Sequence, residues 1–321
     1  MDEITRELQG KRVLVTGAAG FIGSRLTGEL LRRDAEVIAL VDETVSLSRI
    51  EPLLSSPGLS VVTCSLPDIQ SLSEQAKWWG EIDLVAHLAV TVPEITAFCE
   101  QSVQDITMNL LPTIRLLGML GGSLRGFCFA SSVAVYGRPA CIPVAETSPT
   151  VPVTSYGATK LATEYYLSAF EKASNVPVTL LRYSIVYGPG EFGHRAVPNF
   201  LESVTSGRPP IIYGDGSELR DYVYIDDVVA ATLAALAKRP SCVLNIASGQ
   251  GYSTSQIARE ILRLCHSDLE PEYIPVDGEN IDLVCDISAA EKVLSYTPRT
   301  WLKEGLIKEI EWCQNRYNPC Y

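Results

Sequence analysis

The stretch VLVTGAAGFIG, residues 13–23, decides the fold. Its first residues form an apolar, β-branched run. Three glycines come after this run, at Gly17, Gly20 and Gly23, and a segment with the apolar spacing of a helix begins at Phe21 and Ile22. A turn without side chains lets backbone N–H groups approach a pyrophosphate at the N-terminus of a helix. The stretch therefore predicts the first strand, turn and helix of a Rossmann-type unit.

Outward from this stretch, short apolar runs alternate with longer segments of helical period. We predict strands at 12–16, 36–41, 59–63, 84–89, 126–130 and 176–182, and the clearest helices at 21–33, 108–120 and 155–173. This pattern is typical of an α/β fold with a doubly wound parallel sheet, here of six strands. Gly and Pro clusters then predict a smaller, mixed C-terminal lobe. A helix at 227–237 should rejoin the first domain, and one at 301–312 should close the chain.

Composition limits the classes of function. The 321 residues are 46% hydrophobic, enough for a full core, and a net charge of -12 without a basic patch excludes nucleic acid as a partner. No apolar run reaches transmembrane length before a charge or Pro interrupts it, so we expect no membrane contact and a cytoplasmic protein. Nine Cys without a C-x-x-C pair and only three His predict neither a metal site nor a disulfide framework.

A carboxylate indicates which dinucleotide the turn would hold. The second predicted strand leads into Asp42, 19 residues past Gly23, where a carboxylate can accept hydrogen bonds from both ribose hydroxyls. Glu43 follows, so a 2′-phosphate would meet two like charges. The sequence favours NAD over NADP; an ordinary turn and a surface acid are the alternative.

Tyr156 and Lys160 lie four residues apart on the predicted helix 155–173, so both project from one face. A nearby ammonium favours a phenolate, and we expect it to lower the pKa of Tyr156 enough for proton exchange with a substrate hydroxyl. Ser132, near the end of the fifth predicted strand, would orient that hydroxyl, whereas we expect Ser131 to be structural. A buried serine pair and a solvated helix face are the alternative.

These motifs resemble a known family. The glycine spacing, His87-Leu88-Ala89 after the fourth strand and Asn109 are similar to the short-chain dehydrogenase/reductase superfamily. With Ser132, Tyr156 and Lys160 in this order, the chain resembles the extended, nucleotide-sugar epimerase/dehydratase branch. His87 alone is more typical of a hydrogen-bonded core histidine than of a catalytic acid.

The resemblance implies a set of ligands and contacts. NAD would be held by Gly17, Gly20, Phe21, Ile22, Gly23, Asp42, Leu88, Ala89, Tyr156 and Lys160. The substrate would be a UDP-sugar, contacted by Ser132, Ser184, Val197, Tyr213 and Arg220. Residues 1–182 with about 221–248 would form the NAD-binding domain, and 183–220 with 249–321 the nucleotide-sugar-binding lobe. A homodimer through the helices at 108–120 and 155–173 is implied as well.

By the same resemblance, Arg220 would meet the nucleotide diphosphate and Tyr213 would lie near the base. A guanidinium offers a fork of donors that suits phosphate. The alternative for Arg220 is an ion pair with Asp221.

Several positions depart from the family pattern. The 4,6-dehydratases of the family carry an Asp-Glu pair where this chain has Val133 and Ala134. A substrate-binding Asn is replaced by Ile185, and a second phosphate-binding Arg has no counterpart in 278–285. For an elimination, candidate proton carriers in or near the site are Tyr156, Cys141, Glu191 and His194.

Two reactions therefore remain open. The chain as a whole is similar to exo-glycal-forming 5,6-dehydratases of antibiotic biosynthesis that act on a UDP-N-acetylhexosamine, a lyase reaction that begins with transient C4 oxidation. Val133 and Ala134 favour the alternative, an isomerase that inverts C4, because epimerisation needs no elimination acid or base. A net oxidoreductase and a catalytically silent NAD-binding protein are further alternatives.

Overall fold

The computed structural model describes residues 2–91, 97–191, 195–276 and 280–317. Its strands are β1 (Arg12–Thr16), β2 (Glu36–Val41), β3 (Leu59–Thr63), β4 (Leu84–His87), β5 (Gly126–Ser132), β6 (Val178–Tyr183), β7 (Ile185–Tyr187), β8 (Ile211–Tyr213), β9 (Leu219–Tyr224), β10 (Cys242–Ile246), β11 (Gly251–Ser253) and β12 (Glu272–Ile274). Seven of them form one sheet in the order β10-β6-β5-β4-β1-β2-β3, with every neighbouring pair parallel.

The helices pack around this sheet. They are α1 (Glu3–Leu8), α2 (Phe21–Leu31), α3 (Ile69–Ala76), α4 (Phe98–Asp105), α5 (Leu111–Leu117), α6 (Ser155–Ser174), α7 (Ala196–Thr205), α8 (Ile225–Lys238), α9 (Thr254–Leu264), α10 (Ser288–Leu294) and α11 (Leu302–Tyr317). Of the three clearest predicted helices, the one at 108–120 differs most from the observed element, because α5 begins only at Leu111 and a π-helical segment, Ile106–Leu110, precedes it. Pro112 in the first turn of α5 lacks the N–H that would otherwise donate to the preceding helical turn, and the π-helical segment lies directly before it.

The expectation of six strands in the main sheet is wrong, because β10 adds a seventh beside β6. This strand escaped prediction because Asn245 interrupts its apolar run. The buried amide of Asn245 accepts a hydrogen bond from the Tyr136 hydroxyl at 2.7 Å and donates one to the Val144 carbonyl at 2.9 Å. The fourth strand ends at His87, two residues before the predicted end, since the amides of Leu88 and Ala89 donate hydrogen bonds to the Thr16 hydroxyl.

Apolar side chains cover both faces of the main sheet. Val13 and Val15 belong to one buried cluster and Leu14 to another, as the two-residue period of a strand requires. A parallel sheet covered on both faces has strands that are apolar throughout, and these three residues are fully buried. The α/β, doubly wound fold is confirmed.

Two smaller sheets complete the architecture. One has the order β11-β9-β7 with mixed strand directions, and the other pairs β12 with β8 in parallel. They form the smaller, mixed part of the fold, while the assignment of residues to two domains stays a prediction. In the residues described, no helix is both long and apolar enough to cross a bilayer.

The strand order reverses between β1 and β4, which opens a crevice at the carboxyl ends of these strands. Gly17 follows β1, Leu88 follows β4, and Ser132 ends β5. The fold thus brings three sequence-predicted site positions to one edge of the sheet.

Candidate active site

The glycine turn after β1 has no room for side chains. Gly17 has a φ of +68°, and a Cβ there would lie 2.9 Å from the Cα of Ala89. A Cβ on Gly23 would lie 2.1 Å from the carbonyl oxygen of Gly17. Helix α2 begins at Phe21, and its N-cap, Gly20, makes no side-chain cap hydrogen bond. The first N–H groups of α2 can therefore meet an anion, as a dinucleotide pyrophosphate requires.

Asp42 presents an ionised carboxylate just past β2. Its Oδ1 accepts hydrogen bonds from the Thr44 amide at 3.0 Å and hydroxyl at 2.7 Å, and its Oδ2 accepts one from Ser65 at 2.8 Å. Burial acts to raise the pKa of Asp42, but these hydrogen bonds outweigh it and lower the pKa. With the glycine turn, this carboxylate fits the adenosine half of NAD.

His87 is a core residue. Its Nδ1 lies 2.7 Å from the Thr16 hydroxyl and its Nε2 2.7 Å from the Thr113 hydroxyl. Burial, aided by the nearby charge of Lys160, lowers the pKa of His87 to about 3. The neutral imidazole thus stabilises the ends of β1 and β4, and it does not carry protons at neutral pH.

Helix α6 brings Tyr156 to Ser132. Thr154 caps the helix by accepting a hydrogen bond from the Gly157 amide at 3.0 Å. A Cβ on Gly157 would lie 2.5 Å from the carbonyl oxygen of Ala134, so α6 packs directly on the segment after β5. Interaction with the Ser132 hydroxyl lowers the pKa of the Tyr156 phenol, so the two side chains are neighbours.

Lys160 lies one helical turn further on and is buried. Its Nζ donates a hydrogen bond to the Ala130 carbonyl at 2.7 Å and lies 4.7 Å from the ring centroid of Phe129 and 5.7 Å from that of Tyr156. Burial lowers the pKa of Lys160 to about 8, against the opposing effect of Glu164. A small cavity lined by Ala89, Phe129, Tyr156 and Lys160 adjoins these groups.

The pKa of Tyr156 does not follow the sequence-based expectation. Burial raises it, a hydrogen bond from Ser132 and the charge of Arg195 lower it, and Asp105 raises it. Burial therefore outweighs the groups that lower the pKa of Tyr156, and the lowering by Lys160 stays a prediction. The Lys160 ammonium is held by the Ala130 carbonyl, with its Nζ 5.7 Å from the centroid of the Tyr156 ring.

Ser131 has a structural role, as expected. It donates a hydrogen bond to Glu164, which also receives two from Arg182, at 3.0 and 2.7 Å. Arg182 donates a further hydrogen bond to the Tyr136 hydroxyl at 3.0 Å. This buried network joins β5, α6 and β6 behind the site.

Arg220 is not paired with Asp221, so that alternative is wrong. Asp221 accepts hydrogen bonds from the Ser248 amide and hydroxyl, both at 2.7 Å, and from the Gly249 amide at 3.0 Å. Arg220 forms an ion pair with Glu218 at 3.2 Å instead. The two side chains are 27% and 34% exposed, and an ion pair in contact with solvent is weak, so Arg220 remains available to a diphosphate.

The other expected substrate contacts are spread over several elements. Ser184 donates a hydrogen bond to the Asp221 carbonyl at 2.5 Å, and Val197 is buried in the core on α7. Tyr213 ends β8 and is 67% exposed. Their contact with a substrate stays a prediction.

The first departure from the family pattern, Val133, lies in an apolar environment, and one candidate proton carrier lies away from the catalytic helix. Val133 packs in a small apolar cluster with Val135 and Val144. Cys141 is exposed in a separate groove that residues 280–282 also line. His194 lies outside the described residues. Across the described ranges, no three His, Cys, Asp or Glu side chains gather as metal ligands would.

Glu191 is buried beside Arg195, whose guanidinium lies 3.4 Å from its Oε1. Burial raises the pKa of Glu191 to about 7, against the opposing charge of Arg195. Sequence reasoning missed Arg195 and a second buried acid, Glu309 on α11. The sequence did contain a sign that Glu309 is buried. Glu309 follows Leu306 by three residues, and this spacing places it on the apolar face of the helix.

Comparisons with known proteins agree with this geometry. The profile of the NAD dependent epimerase/dehydratase family matches residues 13–247. A putative UDP-glucose 4-epimerase of Methanocaldococcus jannaschii is 32% identical over 311 residues, 94% of this chain and 98% of the relative. The dTDP-D-glucose 4,6-dehydratase of Bos taurus is 28% identical over 324 residues, 96% of this chain and 90% of the relative.

A solved structure is similar over nearly the full length. The UDP-glucose 4-epimerase of Thermotoga maritima, determined with UDP-glucose, superposes with a TM-score of 0.86 at 28% identity and covers 96% of this chain and 100% of its own. The similarity thus extends beyond the sheet to the smaller part of the fold.

Proposed function

This chain belongs to the NAD-dependent epimerase/dehydratase family, and from that premise we propose that it oxidises C4 of a UDP-N-acetylhexosamine transiently and then removes water across C5 and C6. The product would be an exo-glycal, as in the reaction of the tunicamycin-pathway UDP-N-acetylglucosamine 5,6-dehydratase. The observation that carries the oxidation step is the position of the Lys160 Nζ, 5.7 Å from the centroid of the Tyr156 ring, beside a cavity that Ala89 also lines at the sheet edge where the glycine turn opens.

The glycine turn and Asp42 would hold NAD, which would supply an acceptor for the C4 hydride and a donor that returns it in the same turnover. Tyr156 takes the C4 hydroxyl proton as the hydride departs and gives a proton back at the end. Ser132 orients the sugar hydroxyl toward the phenol. Between these steps the C5 proton and the C6 hydroxide leave as water, so no oxidant is consumed.

The elimination needs a group that can exchange a proton at neutral pH. Glu191 is the described candidate with such a value, because burial raises its pKa to about 7. Its Oε1 lies 3.4 Å from the guanidinium of Arg195, whose charge lowers the pKa of Tyr156. These features support Glu191 over Cys141, which lies in the separate groove.

The second candidate is C4 epimerisation of a UDP-hexose or UDP-N-acetylhexosamine. Val133 and Ala134, where family dehydratases carry their Asp-Glu pair, favour it. After C4 oxidation, epimerisation needs only that the 4-keto sugar rotates in the site before the hydride returns to C4.

One experiment separates these reactions. The purified protein is incubated with UDP-GlcNAc, and then with UDP-Glc, without added NAD, and the products are analysed by mass spectrometry and proton NMR. Loss of one water supports the dehydratase, whereas unchanged mass with an altered C4 proton coupling supports the epimerase. NAD consumption equal to product would indicate a net oxidoreductase, and bound NAD with neither substrate changed would favour a silent binder.

We also propose a homodimer through the helices at 108–120 and 155–173. Tyr165 and Tyr166 on α6 are 68% and 53% exposed, and Val103 on the neighbouring α4 is 62% exposed. Burying these side chains against a second copy would be favourable. Light scattering after gel filtration would give twice the chain mass, and a monomer at micromolar concentration would refute the dimer.

A further inference from the structure

Asp105 is a buried acid that the proposed reaction does not use. It is the last residue of α4 and is 0% exposed. Its Oδ2 accepts a hydrogen bond from the Ser155 hydroxyl at 2.6 Å, and its Oδ1 accepts one from the side-chain amide of Asn109 at 3.4 Å. Burying a carboxylate is costly unless hydrogen bonds replace its lost hydration. These two bonds therefore determine where the end of α4 lies against α6.

Ser155 connects this acid to the catalytic helix. It is the first residue of α6, it directly precedes Tyr156, and its side chain is buried. A carboxylate beside the first turn of a helix also interacts favourably with the helix dipole. The hydrogen bond from Ser155 to Asp105 therefore fixes the turn from which the Tyr156 side chain projects.

The second partner of Asp105 holds the chain that follows β4. The Oδ1 of Asn109 accepts a hydrogen bond from the Thr91 amide, and its Nδ2 donates one to the Thr91 carbonyl, both at 2.8 Å. Thr91 follows Ala89 by two residues, and Ala89, Asn109 and Tyr156 line the same cavity. One short stretch of chain thus contacts both the segment expected to hold NAD and the helix that carries the phenol.

This stretch departs from α-helical geometry at the two residues that make the contacts. The π-helical segment Ile106–Leu110 begins directly after Asp105 and contains Asn109. Short π-helical segments within helices are frequent at functional sites, because they change the directions in which side chains project. The geometry of this segment therefore supports a role in the site.

We propose that Asp105 is a positioning residue for Tyr156, which fixes the first turn of α6 through Ser155 and, with Asn109, sets the distance between the phenol and the cofactor segment after β4. The inference rests on the proposed function, in which Tyr156 takes the C4 hydroxyl proton. The charge of Asp105 raises the pKa of Tyr156 and so opposes the phenolate, which leaves the hydrogen bond as the contribution of the acid. A misplacement of about 1 Å at reacting groups can cost on the order of a hundredfold in rate.

The test compares the steady-state kinetics of Ser155→Ala, Asp105→Ala and the double variant on UDP-GlcNAc, with NAD bound. Each single substitution should lower kcat about tenfold or more and keep KM within about twofold of wild type, because only the phenol is misplaced. The double variant should be no slower than the slower single variant, since both changes remove the same hydrogen bond. Ser155→Ala deletes a single hydroxyl, so it carries the test if Asp105→Ala does not fold.

Two further variants separate positioning from charge and from general packing. Asp105→Asn keeps an oxygen that can accept the hydrogen bond from Ser155, so it should retain most of the wild-type kcat. Glu100→Gln, an exposed acid on α4, is the matched control and should react as wild type does. Wild-type kcat in Ser155→Ala, losses that multiply in the double variant, or an Asp105→Asn enzyme as slow as Asp105→Ala would each overturn the inference.

Hydrogen exchange followed by mass spectrometry gives a readout that needs no substrate. In Ser155→Ala the amides of residues 155–160 should exchange faster than in wild type, and by a larger factor than those of α8, because the first turn of α6 loses its contact with α4. Faster exchange there with no reaction on any UDP-sugar would contradict the proposed function alone. Wild-type turnover with unchanged exchange would contradict only the role of Asp105.

Discussion

Gly17 and Ala89 meet across the point where the strand order reverses, so closely that a Cβ on Gly17 would lie 2.9 Å from both the Cα and the N of Ala89. Gly10 has the same φ of +68° but open space where its Cβ would stand. Substitutions at these two glycines therefore allow the cost of the left-handed backbone conformation to be separated from the cost of the close contact with Ala89.

Gly17→Ala should lower the free energy of unfolding by more than Gly10→Ala does and should abolish NAD retention. Both substitutions place alanine in a left-handed conformation, which costs about 1 kcal/mol, and only Gly17→Ala adds a clash of about 1 to 3 kcal/mol. Urea denaturation and the NAD content after gel filtration measure the two effects. Equal destabilisation by both variants would show that the contact with Ala89 relaxes without cost.

Asp42→Asn should weaken NAD binding roughly tenfold. The substitution keeps the size of the side chain but replaces charge-assisted hydrogen bonds to ribose hydroxyls with weaker ones. Glu43→Gln, the adjacent exposed acid, is the control and should bind NAD as wild type does. Calorimetric titration with NAD gives both affinities, and equal losses in the two variants would show that net charge alone is responsible.

The regular parts of the fold could be predicted because their causes are local. Apolar runs and the glycine turn mark β1 and α2 in the sequence itself, and Val13, Leu14 and Val15 are buried on alternating faces of the sheet as a strand requires. The β10 strand escaped because the partners of Asn245 come from distant segments of the chain.

The electrostatics of the site could not be predicted in the same way. Tyr156 and Lys160 are visible as a spaced pair, but the pKa of Tyr156 is raised by its burial, and the opposing charge of Arg195 comes from the residue before α7. The burial of Lys160 and its hydrogen bond to the Ala130 carbonyl likewise depend on tertiary structure.

Tyr156→Phe should lower turnover on the order of a hundredfold or more while NAD stays bound. The change removes only the hydroxyl that exchanges the C4 proton, and general acid–base groups contribute about 10² to 10⁴ in rate. Tyr166→Phe, an exposed position on the same helix, is the control and should keep full activity. Product formation from UDP-GlcNAc by NMR measures the loss, and an active Tyr156→Phe enzyme would sink the mechanism.

Glu309→Gln should make the protein more stable at pH 8 and change it little at pH 5. Burial, reinforced by the charge of Glu191, raises the pKa of Glu309 to about 8 from an ordinary value of 4.5, against a hydrogen bond from the Gly188 amide. Between these two values the folded protein holds a proton that the unfolded chain releases, so the free energy of unfolding falls as the pH rises through this window. An amide cannot ionise, so the variant should avoid that fall and gain on the order of 1 kcal/mol or more at pH 8. Glu311→Gln, exposed on the same helix, is the control, and urea denaturation at both pH values gives the comparison. If Glu309→Gln loses stability with pH as steeply as wild type, then Glu309 is ionised in the folded protein at neutral pH and a cation not apparent in its surroundings must compensate it.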